Sequence, residues 1–242
     1  MSDDAPGSAP RLARLLSAIV AVLLALFAAS AVTAPLVALA VRAGLVAPDT
    51  TAWQLLRTVV QFAGFLAAAL GYLALTDQWD LLRYARPTLR ESGLVAAAAV
   101  GLLTLQYGSL FALSRAGLST GQNQAVVPAG DPVTYYVAMI LVSLLIVGPV
   151  EEVLFRGVVQ GGLRRTFAAV PSIVVAGGLF GVIHLVGVQG TGAERWAYVA
   201  IAAGLGCILG YLYERTENLV VPGLAHGAYN ATIYALLLVD AF

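Results

Sequence analysis

Five polar residues stand out in an otherwise apolar chain because together they could hydrolyse an amide bond. Glu151 and Glu152 are adjacent, His184 and His226 are the only two histidines, and Asn230 follows His226 by four positions. A carboxylate can take a proton from water, an imidazole can orient that water or bind a metal, and a carboxamide can donate a hydrogen bond to an oxyanion. We therefore treat these residues as candidates for a hydrolytic site.

The apolar composition of the chain makes these five polar residues informative. Hydrophobic residues make up 60% of the 242 positions, charged residues only 11%, and the mean hydropathy is +0.88. Such a composition indicates a membrane protein, in which a polar side chain within the bilayer is costly and is a functional candidate by default. The formal net charge is zero, so no nucleic-acid partner is expected.

Seven apolar segments are long enough to cross a bilayer, which takes roughly 20 residues of helix. The first is longer than the apolar part of a signal peptide, so we interpret it as a retained span. We expect an all-α, polytopic transmembrane bundle of about seven to eight spans, forming a single membrane domain over 1–242. The segments are Leu15–Val41, Trp53–Leu75, Gly93–Leu113, Val133 to beyond Leu154, Val170–Val188, Trp196–Tyr213 and Leu219–Val239.

The arginines predict the orientation of the bundle, because short cytoplasmic loops carry the positive charge. With Arg57 set aside at a helix end, nine arginines fall in one set of alternate connections and three in the other. The pattern predicts a cytoplasmic N-terminus. We also expect an integral, multi-pass protein in the plasma membrane of a prokaryote. The larger set is Arg11, Arg14, Arg83, Arg86, Arg90, Arg156, Arg164, Arg165 and Arg215, and the smaller is Arg42, Arg115 and Arg195.

Helical spacing predicts that the candidate residues can meet. His226 and Asn230 are four apart and share one helix face, and so do Phe180 and His184. Counting along the spans places the candidates at compatible depths, in the cytoplasmic half of the bundle, where a substrate presented from the cytoplasm would reach them.

Three local features should shape the site. Glu152 and Arg156 have the spacing of an internal ion pair, which would leave Glu151 free for chemistry. Pro149 should bend its helix nearby. The Gly177-x-x-x-Gly181 and Gly206-x-x-x-Gly210 spacings predict close helix packing.

Taken together, these residues resemble the CPBP family of membrane proteases, the CAAX-processing and bacteriocin-processing group also called the Abi family. The first motif, Glu-Glu-x-x-x-Arg-Gly, stands at 151–157, the second, Phe-x-x-x-His, at 180–184, and the third, His-x-x-x-Asn, at 226–230. Three motifs in order make the resemblance specific to about 133–239, the expected catalytic core. It implies a membrane endopeptidase similar to the CAAX prenyl endopeptidase, acting on membrane-associated peptides or proteins, with prenylated CAAX substrates as one option.

The resemblance also implies roles for the site residues. Glu151 would activate water beside His184, and His226 and Asn230 would be metal ligands or oxyanion donors, with Glu152, Arg156 and Phe180 in support. Zinc held by His184, His226 and Glu151 would lower the pKa of its bound water, as in other metalloproteases. The chain has no His-Glu-x-x-His motif, and we favour the metal-free glutamate mechanism while zinc stays open.

Two other functions stay open from the sequence. The polar cluster could serve a non-catalytic membrane scaffold or partner-binding protein. It could also belong to a metal or proton transporter, although a transporter should have polar residues spread along a path through both leaflets, whereas these converge at one depth.

Overall fold

The computed structural model describes residues 8–242 and shows a bundle of seven long helices; the first seven positions of the predicted single domain lie outside the described residues. We number the helices α1 to α7 in chain order, and α4 combines several helical segments in one continuous rod. They are α1 Ser8–Arg42, α2 Thr51–Thr76, α3 Leu89–Arg115, α4 Pro132–Arg164, α5 Ala169–Ile183, α6 Gly192–Thr216 and α7 Val220–Val239.

Six of these helices, α1 to α6, are long and apolar enough to cross a membrane. The seventh, α7, matches the last predicted segment in position, but His226, Asn230 and several glycines make it more polar. The predicted fold class, an all-α polytopic bundle, is confirmed. The chain is therefore an integral, multi-pass membrane protein.

Short connections join the helices and leave little room for a second structural unit. Threonine side chains cap the starts of α2, α3 and α6, and at α3 and α6 the partner Glu91 or Glu194 completes a capping box. The one sheet within residues 8–242 is a two-stranded antiparallel pair of β1 Gln122–Asn123 and β2 Val188–Gln189. Short 3₁₀ turns at Trp79–Leu81, Gln124–Val126 and His184–Val186 complete the described elements.

Contacts between connections define two ends of the bundle. At the arginine-rich end, formed by the start of α1 and the connections 77–88, 165–168 and 217–219, Arg165 pairs with Asp80 at 2.8 Å. At the arginine-poor end, formed by the connections 43–50, 116–131 and 187–191 and the end of α7, β1 pairs with β2. Successive helices therefore run in alternate directions, as the sequence predicts.

Helix α4 changes its winding around the candidate site. Ser143–Val147 and Val153–Gln160 are wound as π-helix, and the α-helical turn Gly148–Glu152 between them carries Pro149 and both glutamates. Proline has no N–H to donate to the carbonyl four residues earlier, so the regular hydrogen-bond ladder is interrupted here. Such π segments often accompany functional sites.

Glycines set the closest helix crossings. A Cβ on Gly177 would lie 2.7 Å from Cys207 Sγ, and one on Gly181 would lie 2.5 Å from the carbonyl of Val199. The predicted tight packing at this spacing is therefore present, between α5 and α6. A second crossing, which we did not predict from the sequence, joins α4 to α7 at Gly148 and Gly227, where backbone meets backbone.

Two sequence-based placements are wrong. Arg156 was counted as a loop residue of the arginine-rich set, but it is completely buried within α4. The span predicted to reach Val188 leaves the α-helical form after Ile183, passes through a 3₁₀ turn and ends in β2. Hydropathy could not reveal either, because it does not show that Arg156 has a buried partner, and because Leu185, Val186 and Val188 continue the apolar pattern beyond the helix.

Candidate active site

One large cavity contains all four proposed catalytic side chains. Its volume is about 1310 Å³, and every long helix contributes to its walls. Glu151 comes from α4, His184 from the turn after α5, and His226 and Asn230 from α7. The hypothesis of a hydrolytic site needs these three distant elements to meet at one pocket. In the structure all three line the same cavity.

The crossing of α4 and α7 positions Glu151 against His226. A Cβ on Gly148 would lie 2.6 Å from the backbone nitrogen of Gly227, so only glycine allows this approach. Glu151 lies one turn beyond Gly148, and His226 lies next to Gly227. His226 Nε2 is consequently 3.5 Å from Glu151 Oε2, and both residues are at least 90% buried.

Glu152 holds His226 from the other side. His226 Nδ1 lies 3.0 Å from Glu152 Oε1, and the second oxygen, Oε2, lies 2.7 Å from Arg156 Nε. Glu152 and Arg156 are both fully buried, so each neutralises the charge of the other. The predicted internal ion pair is present, and Glu152 has in addition a role that sequence spacing did not reveal.

Arg156 forms its ion pair with Glu152 through the Nε atom. Its Nε lies 2.7 Å from Glu152 Oε2, and Nη1 and Nη2 have no hydrogen-bond partner within residues 8–242. The guanidinium carbon lies 5.5 Å from the centre of the Phe180 ring, which gives a cation–π contact. Phe180 therefore covers the buried charge.

The same Phe180 ring lies between the two histidines. Ring centres are 4.8 Å apart for Phe180 and His184 and 5.6 Å apart for Phe180 and His226. Phe155 packs edge-on against it at 5.1 Å, and Phe180 is only 2% exposed. The Phe180 ring therefore packs against both imidazoles and limits their movement.

The His184 tautomer follows from its hydrogen bond. Nδ1 lies 2.7 Å from the carbonyl oxygen of Phe180, which can only accept, so Nδ1 carries the proton and donates it. In the neutral ring Nε2 is then an acceptor. His184 is half-buried at the cavity wall, where this nitrogen can accept a hydrogen bond from water.

Asn230 completes the proposed set at the cavity wall. It lies one turn after His226 on α7, is half-buried, and lines the cavity. Its carboxamide can donate from Nδ2 to an oxygen on the substrate.

Sequence reasoning missed two residues that support the site, one on α6 and one on α4. Tyr198 of α6 has its ring 6.0 Å from the His184 ring and accepts a hydrogen bond of 2.9 Å from Asn123 Nδ2. Gln160 of α4 is fully buried and donates to the Gly210 carbonyl and to Glu214. For Gln160 the signal was available, because it continues the four-residue spacing of Glu152 and Arg156.

The donor geometry does not fit the zinc alternative. Within residues 8–242, no three His, Cys, Asp or Glu side chains are grouped so that they could hold a metal ion. His226 Nδ1 faces Glu152 and His184 Nδ1 faces a backbone carbonyl, so only Nε2 of each ring could bind a metal. As arranged here, His184, His226 and Glu151 do not form a three-ligand site, and we derive no step through a metal.

Comparison with known proteins found a family match. Residues 133–232 match the family model described as type II CAAX prenyl endopeptidase Rce1-like. No curated protein and no solved structure matches the chain. The matched region contains all three motifs, from Glu151 to Asn230, and over these residues the chain is similar to the CAAX-processing membrane proteases.

Proposed function

We propose that the protein is an intramembrane endopeptidase that hydrolyses peptide bonds of membrane-associated substrates with a water molecule activated by Glu151. The observation that carries the proposal is the convergence of Glu151, His184, His226 and Asn230 on one cavity. In this proposal 133–239 is the catalytic core of a single domain over 1–242, with a cytoplasmic N-terminus in the plasma membrane of a prokaryote. A prenylated CAAX substrate remains an alternative to an unmodified peptide.

The first chemical step is addition of water to the scissile carbonyl. His184 Nε2 accepts one hydrogen of the water and orients it, and Glu151 takes the other proton as general base. The water oxygen bonds to the carbonyl carbon, whose oxygen becomes an oxyanion. Asn230 Nδ2 donates a hydrogen bond to that oxyanion.

The second step breaks the carbon–nitrogen bond. Glu151, now protonated, gives its proton to the leaving nitrogen, and the products are a carboxylic acid and an amine. The net reaction consumes one water and needs no other reactant.

His226 stabilises charge during both steps. Glu152 is held ionised by Arg156 and can only accept, so Nδ1 of His226 is the donor in their contact. When Nε2 is also protonated, it donates towards Glu151 and stabilises the carboxylate, which the first step neutralises and the second step regenerates. Glu152 thus acts as a positioning residue for His226.

The test is cleavage of matched peptides, with and without a farnesyl group, by purified protein in detergent. We expect wild type to cleave at least one of them and Glu151→Ala to lose at least about 10²-fold in rate. Glu217→Ala is the matched control, because this glutamate is exposed and pairs only with Arg83 at the arginine-rich end. Cleavage that survives Glu151→Ala would remove Glu151 from its role.

A chelator arm tests the metal-free mechanism separately. We expect cleavage to persist after dialysis against a strong chelator. Loss of activity that zinc alone restores would contradict the metal-free mechanism and would leave the peptidase assignment intact.

A further inference from the structure

The catalytic cavity connects with only one end of the bundle. Among residues 8–242, its lining includes Arg42 at the end of α1, the start of α2, the segment 120–126 and Gly187, all at the arginine-poor end. No residue of the connections 77–88, 165–168 or 217–219 lines it. The cavity therefore extends from Glu151 towards the arginine-poor end and not towards the other.

The arginine-rich end is sealed beneath the site by packed side chains. From Leu154 to Gln160, and again at Leu163, helix α4 buries its residues against α1, α2, α5 and α6. Five members of this set are at most 1% exposed: Phe155, Arg156, Val159, Gln160 and Leu163. A peptide arriving from this end would have to displace the Glu152–Arg156 ion pair to reach Glu151.

The arginines assign these ends to the two sides of the membrane. With Arg156 removed from the count, the arginine-rich end still has the larger set, and the arginine-poor end has only Arg42, Arg57, Arg115 and Arg195. The larger set is Arg11, Arg14, Arg83, Arg86, Arg90, Arg164, Arg165 and Arg215. Because the positively charged end of a polytopic protein lies in the cytoplasm, the sealed end is cytoplasmic.

From these observations we infer that the substrate reaches Glu151 from the extracytoplasmic side, so that the substrate class is exported or outer-leaflet-anchored peptide. The inference rests on the proposed function for the cleavage step, but the route of access is independent of it. It replaces our sequence-based expectation of a substrate presented from the cytoplasm. A prenylated substrate in the cytoplasm would meet the sealed end.

Cysteine labelling in intact cells tests the route. Cys207 is the only cysteine, so Cys207→Ala provides a background without thiols. Thr33→Cys on α1 and Gln106→Cys on α3 are cavity probes; each lines the cavity, is half-buried and lies about 14 Å below the arginine-poor end of its helix. A charged, membrane-impermeant thiosulfonate is the reagent, because it reacts with thiolates that water reaches.

Three controls calibrate the labelling. Val32→Cys is at the depth of Thr33 but outside the cavity lining, so it reports reaction from lipid. Leu45→Cys and Tyr84→Cys lie in exposed connections at the arginine-poor and arginine-rich ends respectively.

We expect the reagent outside intact cells to label Leu45→Cys and both cavity probes, the latter at least tenfold faster than Val32→Cys. Tyr84→Cys should react only after the cells are permeabilised. Labelling of Tyr84→Cys from outside would overturn the inference. Cavity probes that react only from the cytoplasmic side would overturn it as well.

A cleavage assay with the protein in proteoliposomes of sorted orientation tests the same route with a peptide substrate. The peptide should be cleaved when supplied on the side that labels Leu45→Cys, and cleavage only from the Tyr84 side would contradict the inference. If neither side supports cleavage, the proposed function fails, while the labelling still decides the route of access.

Discussion

Two regions of the same helix differ in how they treat buried polar groups. In the packed floor, which we define as 155–163 of α4, Arg156 pairs with Glu152 and Gln160 donates to the Gly210 carbonyl, and no residue of this segment lines the cavity. In the cavity wall one turn earlier, Glu151 faces His226 at 3.5 Å beside open volume.

Neighbouring charged residues on α4 therefore have different roles. Charges in the floor are matched to fixed partners, so they stabilise the bundle and hold the site in place. Charges on the cavity wall are left partly unmatched, and they are the groups that we propose to act on a substrate. Substitutions should therefore separate stability from activity along one helix.

The largest expected effect is loss of stability on removing Arg156. Arg156→Ala would leave the carboxylate of Glu152 buried and unpaired, which costs about 3–5 kcal/mol. Thermal unfolding in detergent, followed by tryptophan fluorescence, measures the change. The control is Arg165→Ala, whose pair with Asp80 is exposed and contributes less than about 1 kcal/mol. Equal unfolding of the two variants would contradict a stabilising floor.

The second largest effect is expected at the crossing of α4 and α7, which lies beside the cavity wall. Gly148→Ala would place a Cβ 2.6 Å from Gly227 N and 2.7 Å from the Gly223 carbonyl, so α4 and α7 must separate. We expect a loss of about 1–3 kcal/mol, with slower cleavage because Glu151 and His226 move apart. Gly178→Ala on α5 meets no atom within 4 Å and should change neither property. A Gly148→Ala variant with wild-type activity would show that the crossing does not set the site geometry.

The smallest expected effect lies in the cavity wall. Tyr198→Phe keeps the ring beside His184 but removes the acceptor for Asn123 Nδ2. We expect KM to rise by up to about tenfold with kcat unchanged, since one hydrogen bond contributes about 0.5–1.5 kcal/mol. Steady-state cleavage kinetics measure both constants, and Tyr211→Phe, exposed on the same helix, is the control. A fall in kcat at unchanged KM would place Tyr198 in the chemical step instead.

The sequence predicted features that depend on spacing within one helix. Seven apolar segments gave the helices, the four-residue spacing of Glu152 and Arg156 gave the ion pair, and the Gly177 and Gly181 spacing gave a close crossing. Each follows from helical periodicity, because residues three or four apart share a face.

The sequence could not predict features that depend on which neighbouring helix a helix face contacts. Adjacent glutamates point about 100° apart on a helix, so spacing alone did not show that His226 would contact both. The Gly223 and Gly227 spacing has the same pattern as the predicted crossing, but only the structure shows that it receives Gly148. The cavity itself arises from the arrangement of all seven helices, which no single segment encodes.

The adjacent glutamates provide the most direct test of the division between floor and cavity. Cleavage rate and thermal unfolding should be measured together for Glu151→Gln and Glu152→Gln. We predict that Glu151→Gln unfolds like wild type and loses at least about 10²-fold in rate, whereas Glu152→Gln unfolds at a clearly lower temperature because Arg156 loses its partner. Wild-type cleavage by Glu151→Gln, or unchanged unfolding of Glu152→Gln, would contradict the account.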